Sequence, residues 1–244
     1  MPRRKVPLVN NEIYHIVLRS VGNTEIFKNE NDYYRGIFSI YEFNNGSPLE
    51  IWKRRRDRLV EKKKEKFGGS PTPPELVGAV DRRKKVVDIF CFSLMPNHFH
   101  LLVKQLKDGG ITKFMKKVGG GYANYFNKKY NRKGHLFDQF RAVHMKTDEQ
   151  LRNVFTYIHC NRISIIQPGW KEAGIKNSKK VINFIENDKW HSYPDYIGGK
   201  AFPSVTARNF LSETMGGEND CRQAISDWII YKKAQDNFED IVLE

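Results

Sequence analysis

The chain has 244 residues, 42 Lys+Arg against 28 Asp+Glu for a formal net charge of +14, and 39% hydrophobic and 13% aromatic residues. That apolar content supports a buried core and excludes wholesale disorder, and no apolar run reaches the roughly 20 residues of a membrane helix. No apolar stretch follows the basic Met1–Lys5 start to make a secretory signal, and three scattered cysteines (Cys91, Cys160, Cys221) without a CxxC argue against a disulfide framework or a zinc knuckle. A cytoplasmic protein is expected.

The charge is uneven. Residues 201–244 hold 4 Lys+Arg and 8 Asp+Glu, a balance of −4, so the first 200 residues carry +18. A pI near 9.6 concentrated in this way is the electrostatic footprint of a polyanion partner, most often nucleic acid.

In chain order, Glu12–Ser20 reads as a strand with Tyr14, Ile16 and Leu18 on one face, followed by a turn at Val21-Gly22-Asn23. Asn31–Phe43 reads as a helix with Asn31 and Asp32 at its N-cap and Tyr34, Ile37, Phe38 and Tyr41 at helical spacing. Residues 44–85 look like an insertion. They contain a basic helix, Trp52–Phe67, with nine Lys/Arg and three Asp/Glu, and a GGSPTPP loop. Val86–Leu94 and Phe99–Val103 are apolar β-rich runs around Met95-Pro96-Asn97, the pattern of an antiparallel hairpin. Ile111–Lys129 is helical in pattern, but Gly119-Gly120-Gly121 predicts a break or a close approach in its middle. Phe140–Met145 alternates as a strand, and Thr147-Asp148-Glu149 caps a helix through about Asn161. A helix near Lys179–Glu186 follows, then Val205–Leu211 and Asp220–Gln235 as a small helical C-terminal unit.

This order predicts an α+β fold: a ferredoxin-like antiparallel sheet with helices on one face. Residues 1–199 would form the main domain and 200–244 the C-terminal unit.

Two spots carry chemistry. In Pro96-Asn97-His98-Phe99-His100, strand periodicity sends His98 and His100 out of one face and Phe99 into the core, which offers two adjacent imidazoles to a divalent cation. In the Thr147–Asn161 helix, Leu151, Val154, Phe155 and Ile158 make the core stripe. Tyr157 and Asn161 share one flank of it a turn apart, and His159 falls on the opposite flank. Tyrosine offers a hydroxyl nucleophile and asparagine a carbonyl oxygen for a hard metal. The aromatic and basic residues Lys116, Lys117, Tyr122, Lys128, Lys129 and Arg132, with Arg3, Arg4, Lys5, Arg19 and Arg141, are expected to contact single-stranded nucleic acid.

With those residues on the page, SLMPNHFHLLV resembles the HUH signature of single-tyrosine transposases. YHIVLRSVGNTEIF, GYANYFNKKYNRKGHLF, TDEQLRNVFTYIHCN, WHSYPDYIGG and SVTARNFL resemble segments of the REP-associated tyrosine transposase branch in the same order, over most of the chain outside 44–85. The resemblance implies a ferredoxin-like domain that cleaves and rejoins single-stranded DNA, usually beside a hairpin, through a 5′-phosphotyrosine. It implies a nucleoid-associated protein acting as monomer or homodimer. His98 and His100 match the metal ligands, Tyr157 the nucleophile, and Asn161 the polar residue that completes a Mg²⁺ or Mn²⁺ site. No nucleotide cofactor is expected, and there is no GxxxxGK[ST]. Two departures stand out: Arg162 replaces the usual proline, and Phe137-Asp138-Gln139-Phe140-Arg141 is one residue shorter than the usual run. A domesticated, non-cutting hairpin-binding protein is the alternative.

Overall fold

The computed structural model describes residues 7–47, 81 and 83–231. Arg3, Arg4, Lys5, the Trp52–Phe67 run and the end of the expected last helix lie outside the described residues.

Four strands form one antiparallel sheet. They are β1 (Ile13–Arg19), β2 (Val87–Met95), β3 (His98–Gln105) and β4 (Arg141–Met145), in the spatial order β2-β3-β1-β4. Helix α1 (Glu30–Glu42) connects β1 to β2, and α2 (Gly110–Lys129) connects β3 to β4. This βαββαβ order with the first strand beside the third is the ferredoxin-like topology. The cap of α1 sits earlier than the sequence suggested, because Asn29, two residues before Asn31, accepts from Asp32 N.

Helix α2 is continuous over 20 residues, so the expected break at Gly119-Gly120-Gly121 does not occur. The close approach does. A Cβ at Gly121 would overlap the Phe43 ring, which lets α1 and α2 pack closely over the sheet.

Helices cover both faces of the sheet rather than one. Tyr14, Ile16, Leu18, Ile89, Phe92, Leu94, Phe99, Leu101 and Val103 face α1 and α2 in the first core. Phe90, Cys91, Leu102 and Met145 face a second core under α3 (Asp148–Cys160). The physical reason lies in the strands: β2 and β3 are buried along nearly their whole length, and a sheet buried on both faces needs a cover on each. A bulge between Ile89 and Cys91 reinforces this by turning two consecutive side chains, Phe90 and Cys91, to the second face. After α3 come the short α4 (Ile163–Ile166) and α5 (Trp170–Ala173), α6 (Ser178–Asn187) and the short α7 (Tyr193–Tyr196). Then α8 (Arg208–Met215) and α9 (Glu218–Tyr231) pack on α3, contributing Leu211, Met215, Cys221, Ile225 and Ile229 to the same second core.

Candidate active site

The Pro96-Asn97 turn is pinned from outside the hairpin. Pro96 O accepts from Ile26 N at 2.7 Å and Phe27 N at 3.1 Å, and Asn97 O accepts from Ser20 N at 3.0 Å. With the turn fixed, β3 begins at His98 and its period of two does the rest. Phe99 enters the first core, and His98 and His100 emerge on the second face, toward α3. Their Nε2 atoms lie 2.8 Å apart. His98 Nδ1 lies 2.5 Å from Asn97 Oδ1, and His100 Nδ1 lies 3.0 Å from His15 Nε2.

Helix α3 approaches from above. Thr147 caps it by accepting from Gln150 N at 3.2 Å, which sets the phase of the helix. Tyr157 packs edge-on against His100 and His15, with ring centroids 5.6 Å and 5.7 Å away. One turn later the Asn161 amide nitrogen lies 3.3 Å from His100 Nε2; a half-turn of the side chain puts its oxygen there instead. The helix projection that paired Tyr157 with Asn161 therefore agrees with their positions. His159 points away, 2.9 Å from Ser192 Oγ among Tyr193 and Tyr196.

The residue after Asn161 anchors this end of α3. Arg162 is buried in an ion pair with Asp188 at 2.5 Å and donates to Leu94 O. A proline there could make neither contact.

The two imidazoles are held neutral. Burial, then the charges of Arg19 and Lys171, pushes His98 down to about 3; burial together with His98 and His15 pushes His100 well below its usual range. Protons therefore do not compete with a cation for these nitrogens at neutral pH. Their 2.8 Å separation is close to the roughly 3.0 Å edge of an octahedron with bonds of about 2.1 Å. Among the described residues no three His, Cys, Asp or Glu side chains are placed to hold one metal ion, so the third donor would be the Asn161 amide. Two imidazoles and an amide oxygen fit a divalent ion that keeps open positions. The site opens into a cleft of about 440 Å³ lined by Arg19, Glu25, Asn97, His98, Asn161 and Lys171.

Residues 50–161 match the family model described as Transposase IS200 like, a span that contains His98, His100 and Tyr157 and ends on Asn161. Over that span, which is under half of the chain, the sequence is similar to IS200-like transposases. Among solved structures, a REP-associated tyrosine transposase bound to a REP hairpin aligns with 86% of this chain and 93% of its own, at 10% identity and a TM-score of 0.45. A bacterial tRNA(His) guanylyltransferase-like protein in complex with ATP aligns with 76% of this chain and 73% of its own, at 9% identity and a TM-score of 0.38. No curated protein matches.

The basic residues of the chain divide sharply. Arg19 lines the cleft, and Lys116, Lys128 and Arg141 are exposed. Tyr122 is not a base-stacking residue: it is fully buried in the first core and donates to Ile26 O at 2.6 Å. The reason is the apolar stripe of α2, in which Ile111, Met115, Val118, Tyr122 and Phe126 share the buried face. Lys117 donates to Asn45 O and Ser47 O, Lys129 pairs with Asp32 at 2.6 Å, and Arg132 donates to His135 O at 2.8 Å. These three therefore also make contacts within the fold.

Two site residues escaped the sequence. Lys171, on α5, lines the cleft with its Nζ 5.8 Å from the centre of the Tyr157 ring. His15 read only as a strand residue. The signal that could have found it is register, since β1 pairs Val17 with His100 and so places His15 beside it on the same face.

Proposed function

We propose that the chain is a metal-dependent DNA strand transferase that cleaves and rejoins single-stranded DNA beside hairpins, with Tyr157 as nucleophile. The observation that supports this most is the meeting of the His98 and His100 Nε2 atoms with the Asn161 amide, while Tyr157, one helical turn before Asn161, packs on His100. Hairpin DNA as the substrate follows from the family resemblance of the motifs.

His98, His100 and Asn161 would hold Mg²⁺ or Mn²⁺, which when bound polarises the scissile phosphate and offsets its charge. The chain's own residues do the remainder. Arg19 and Lys171 draw the phosphate into the cleft. The Tyr157 oxygen forms a bond to phosphorus as the bond from phosphorus to the 3′ oxygen breaks. The phenol loses its proton and the 3′ oxygen gains one, leaving a 5′-phosphotyrosine and a free 3′-OH. The phosphoester bond is conserved, so rejoining requires no nucleotide.

The test is incubation with end-labelled hairpin oligonucleotides from the flanking genome, with Mg²⁺ or Mn²⁺. A labelled covalent adduct that requires the cation is expected. Tight hairpin binding with no adduct under any cation would reassign the chain as a hairpin-binding protein that does not cut.

A further inference from the structure

His15 is completely inaccessible to solvent in the middle of β1, a position where strands carry apolar side chains. Its ring stacks on His100 at 5.2 Å between centroids and 17° between planes, and its Nε2 lies 3.0 Å from His100 Nδ1. The same ring meets Tyr157 edge-on. One side chain thus touches both the inner nitrogen of a candidate metal ligand and the ring of the candidate nucleophile.

A neutral imidazole carries one proton, so a ring that offers Nε2 as a lone pair keeps that proton on Nδ1, and an acceptor beside Nδ1 favours that tautomer. We propose that His15 is the positioning residue of this site: its Nε2 accepts the Nδ1–H of His100 and so holds the His100 Nε2 lone pair toward the cleft. The inference rests on the metal reading of His98 and His100. Ligand histidines commonly have their second nitrogen hydrogen-bonded to a carboxylate, a carbonyl or water, which fixes tautomer and ring angle. Here a second imidazole fills that place. An imidazole is a neutral acceptor, so it adds no negative charge to a site that must also admit DNA phosphate.

The proposal is tested first on the wild-type protein, without DNA. Nitrogen-15 chemical shifts at neutral pH should show His100 as the Nδ1–H tautomer. Finding the proton on Nε2 overturns the proposal. The second measurement uses His15→Phe, which keeps an aromatic ring but no acceptor, and His15→Gln, whose amide oxygen can accept. Unfolding curves establish which variants are folded.

His15→Phe should lose the Nδ1–H preference of His100. The Mn²⁺ concentration that half-broadens the His98 and His100 ring signals should then rise about 10–100-fold, the usual cost of removing an outer partner of a ligand. His15→Gln should recover most of both. An unchanged tautomer and unchanged Mn²⁺ response in a folded variant would also overturn it. Because neither readout involves cleavage, a protein that passes both yet never forms an adduct would fail the proposed function and leave the role of His15 intact.

Discussion

Asp32, in the first turn of α1, and His100, in β3, are both fully buried, on opposite faces of the sheet, and their surroundings differ in kind. Around Asp32 every near neighbour is a donor: Lys129 at 2.6 Å, Tyr130 at 2.7 Å, Tyr125 at 2.9 Å and the Lys28 amide at 3.1 Å. Burial works against its charge, but the hydrogen bonds from Lys129, Tyr130 and Tyr125 outweigh burial and hold its carboxyl below the usual range. That cluster is closed, and it ties the start of α1 to the end of α2. Around His100 the neighbours are other imidazoles and an amide, with two Nε2 atoms facing each other. Each neutral imidazole there offers one N–H and one lone pair, and none of these neighbours carries a full charge. One cluster is closed by a charge and its donors, whereas the other is neutral and borders an open cleft, where a positive ion would have room to join it.

The comparison can be broken at either end. The largest effect should come from Tyr157→Phe: loss of all covalent adduct on a denaturing gel, with hairpin affinity in a filter-binding assay little changed, since one hydroxyl is removed and the ring stays. An adduct in that variant would move the nucleophile elsewhere. Next, Asn161→Ala should lower Mg²⁺-dependent cleavage about 10–100-fold while unfolding at nearly the wild-type temperature. His159→Ala, on the far side of α3, should show the opposite pattern, with lower stability and near-normal cleavage per folded molecule. Equal losses of cleavage from the two would mean that α3 is rotated from its described position.

Asp32→Asn sharpens the contrast from the other side. Lys129 is exposed and stays solvated, but the new amide would turn an N–H toward the tyrosine donors, at a cost of about 1–3 kcal/mol, or roughly 2–12 °C in Tm for a domain of this size, and cleavage by the folded fraction should persist. A comparable effect on stability is expected with pH. His98 and His191 are pushed down to about 3 by burial, helped by Arg19 at His98 and by Arg162 at His191. Because the unfolded chain protonates near 6.5, their contribution to stability is full above that pH and declines as pH falls toward 3. At pH 5 the loss is roughly 2 kcal/mol per imidazole, visible as a falling Tm between pH 7.5 and 5. His191→Phe should flatten that slope, and an unchanged slope would discount the imidazole as its source.

What the sequence made legible follows the same division. The hairpin, the Thr147 cap and the outward step of His98 and His100 depend on local periodicity and turn chemistry, which a single chain displays. The phase of α3 is readable too, and it pairs Tyr157 with Asn161 on one flank. Tyr122 misled because aromatic residues among lysines resemble a stacking surface, whereas α2 buries it with Phe126 against the sheet. The glycine run left a break and a close approach open, and only the second is found: a helix that must approach Phe43 closely uses glycine without breaking. The second cover of the sheet and the place of His15 depend on strand order and register. Those are long-range pairings that no local pattern encodes.

The sharing of the second core by α3, α8 and α9 has a consequence for the order of events during synthesis. The strands and the helices of the first core are all present once Met145 has been made, but the cover on the back of the Tyr157 helix is complete only at Ile229. At roughly 5–20 residues per second that interval is on the order of ten seconds. In a nascent chain arrested just before Arg208, the first core should therefore resist protease while α3 is still cut. Such a chain would hold the sheet that bears its histidines well before its tyrosine is seated against them.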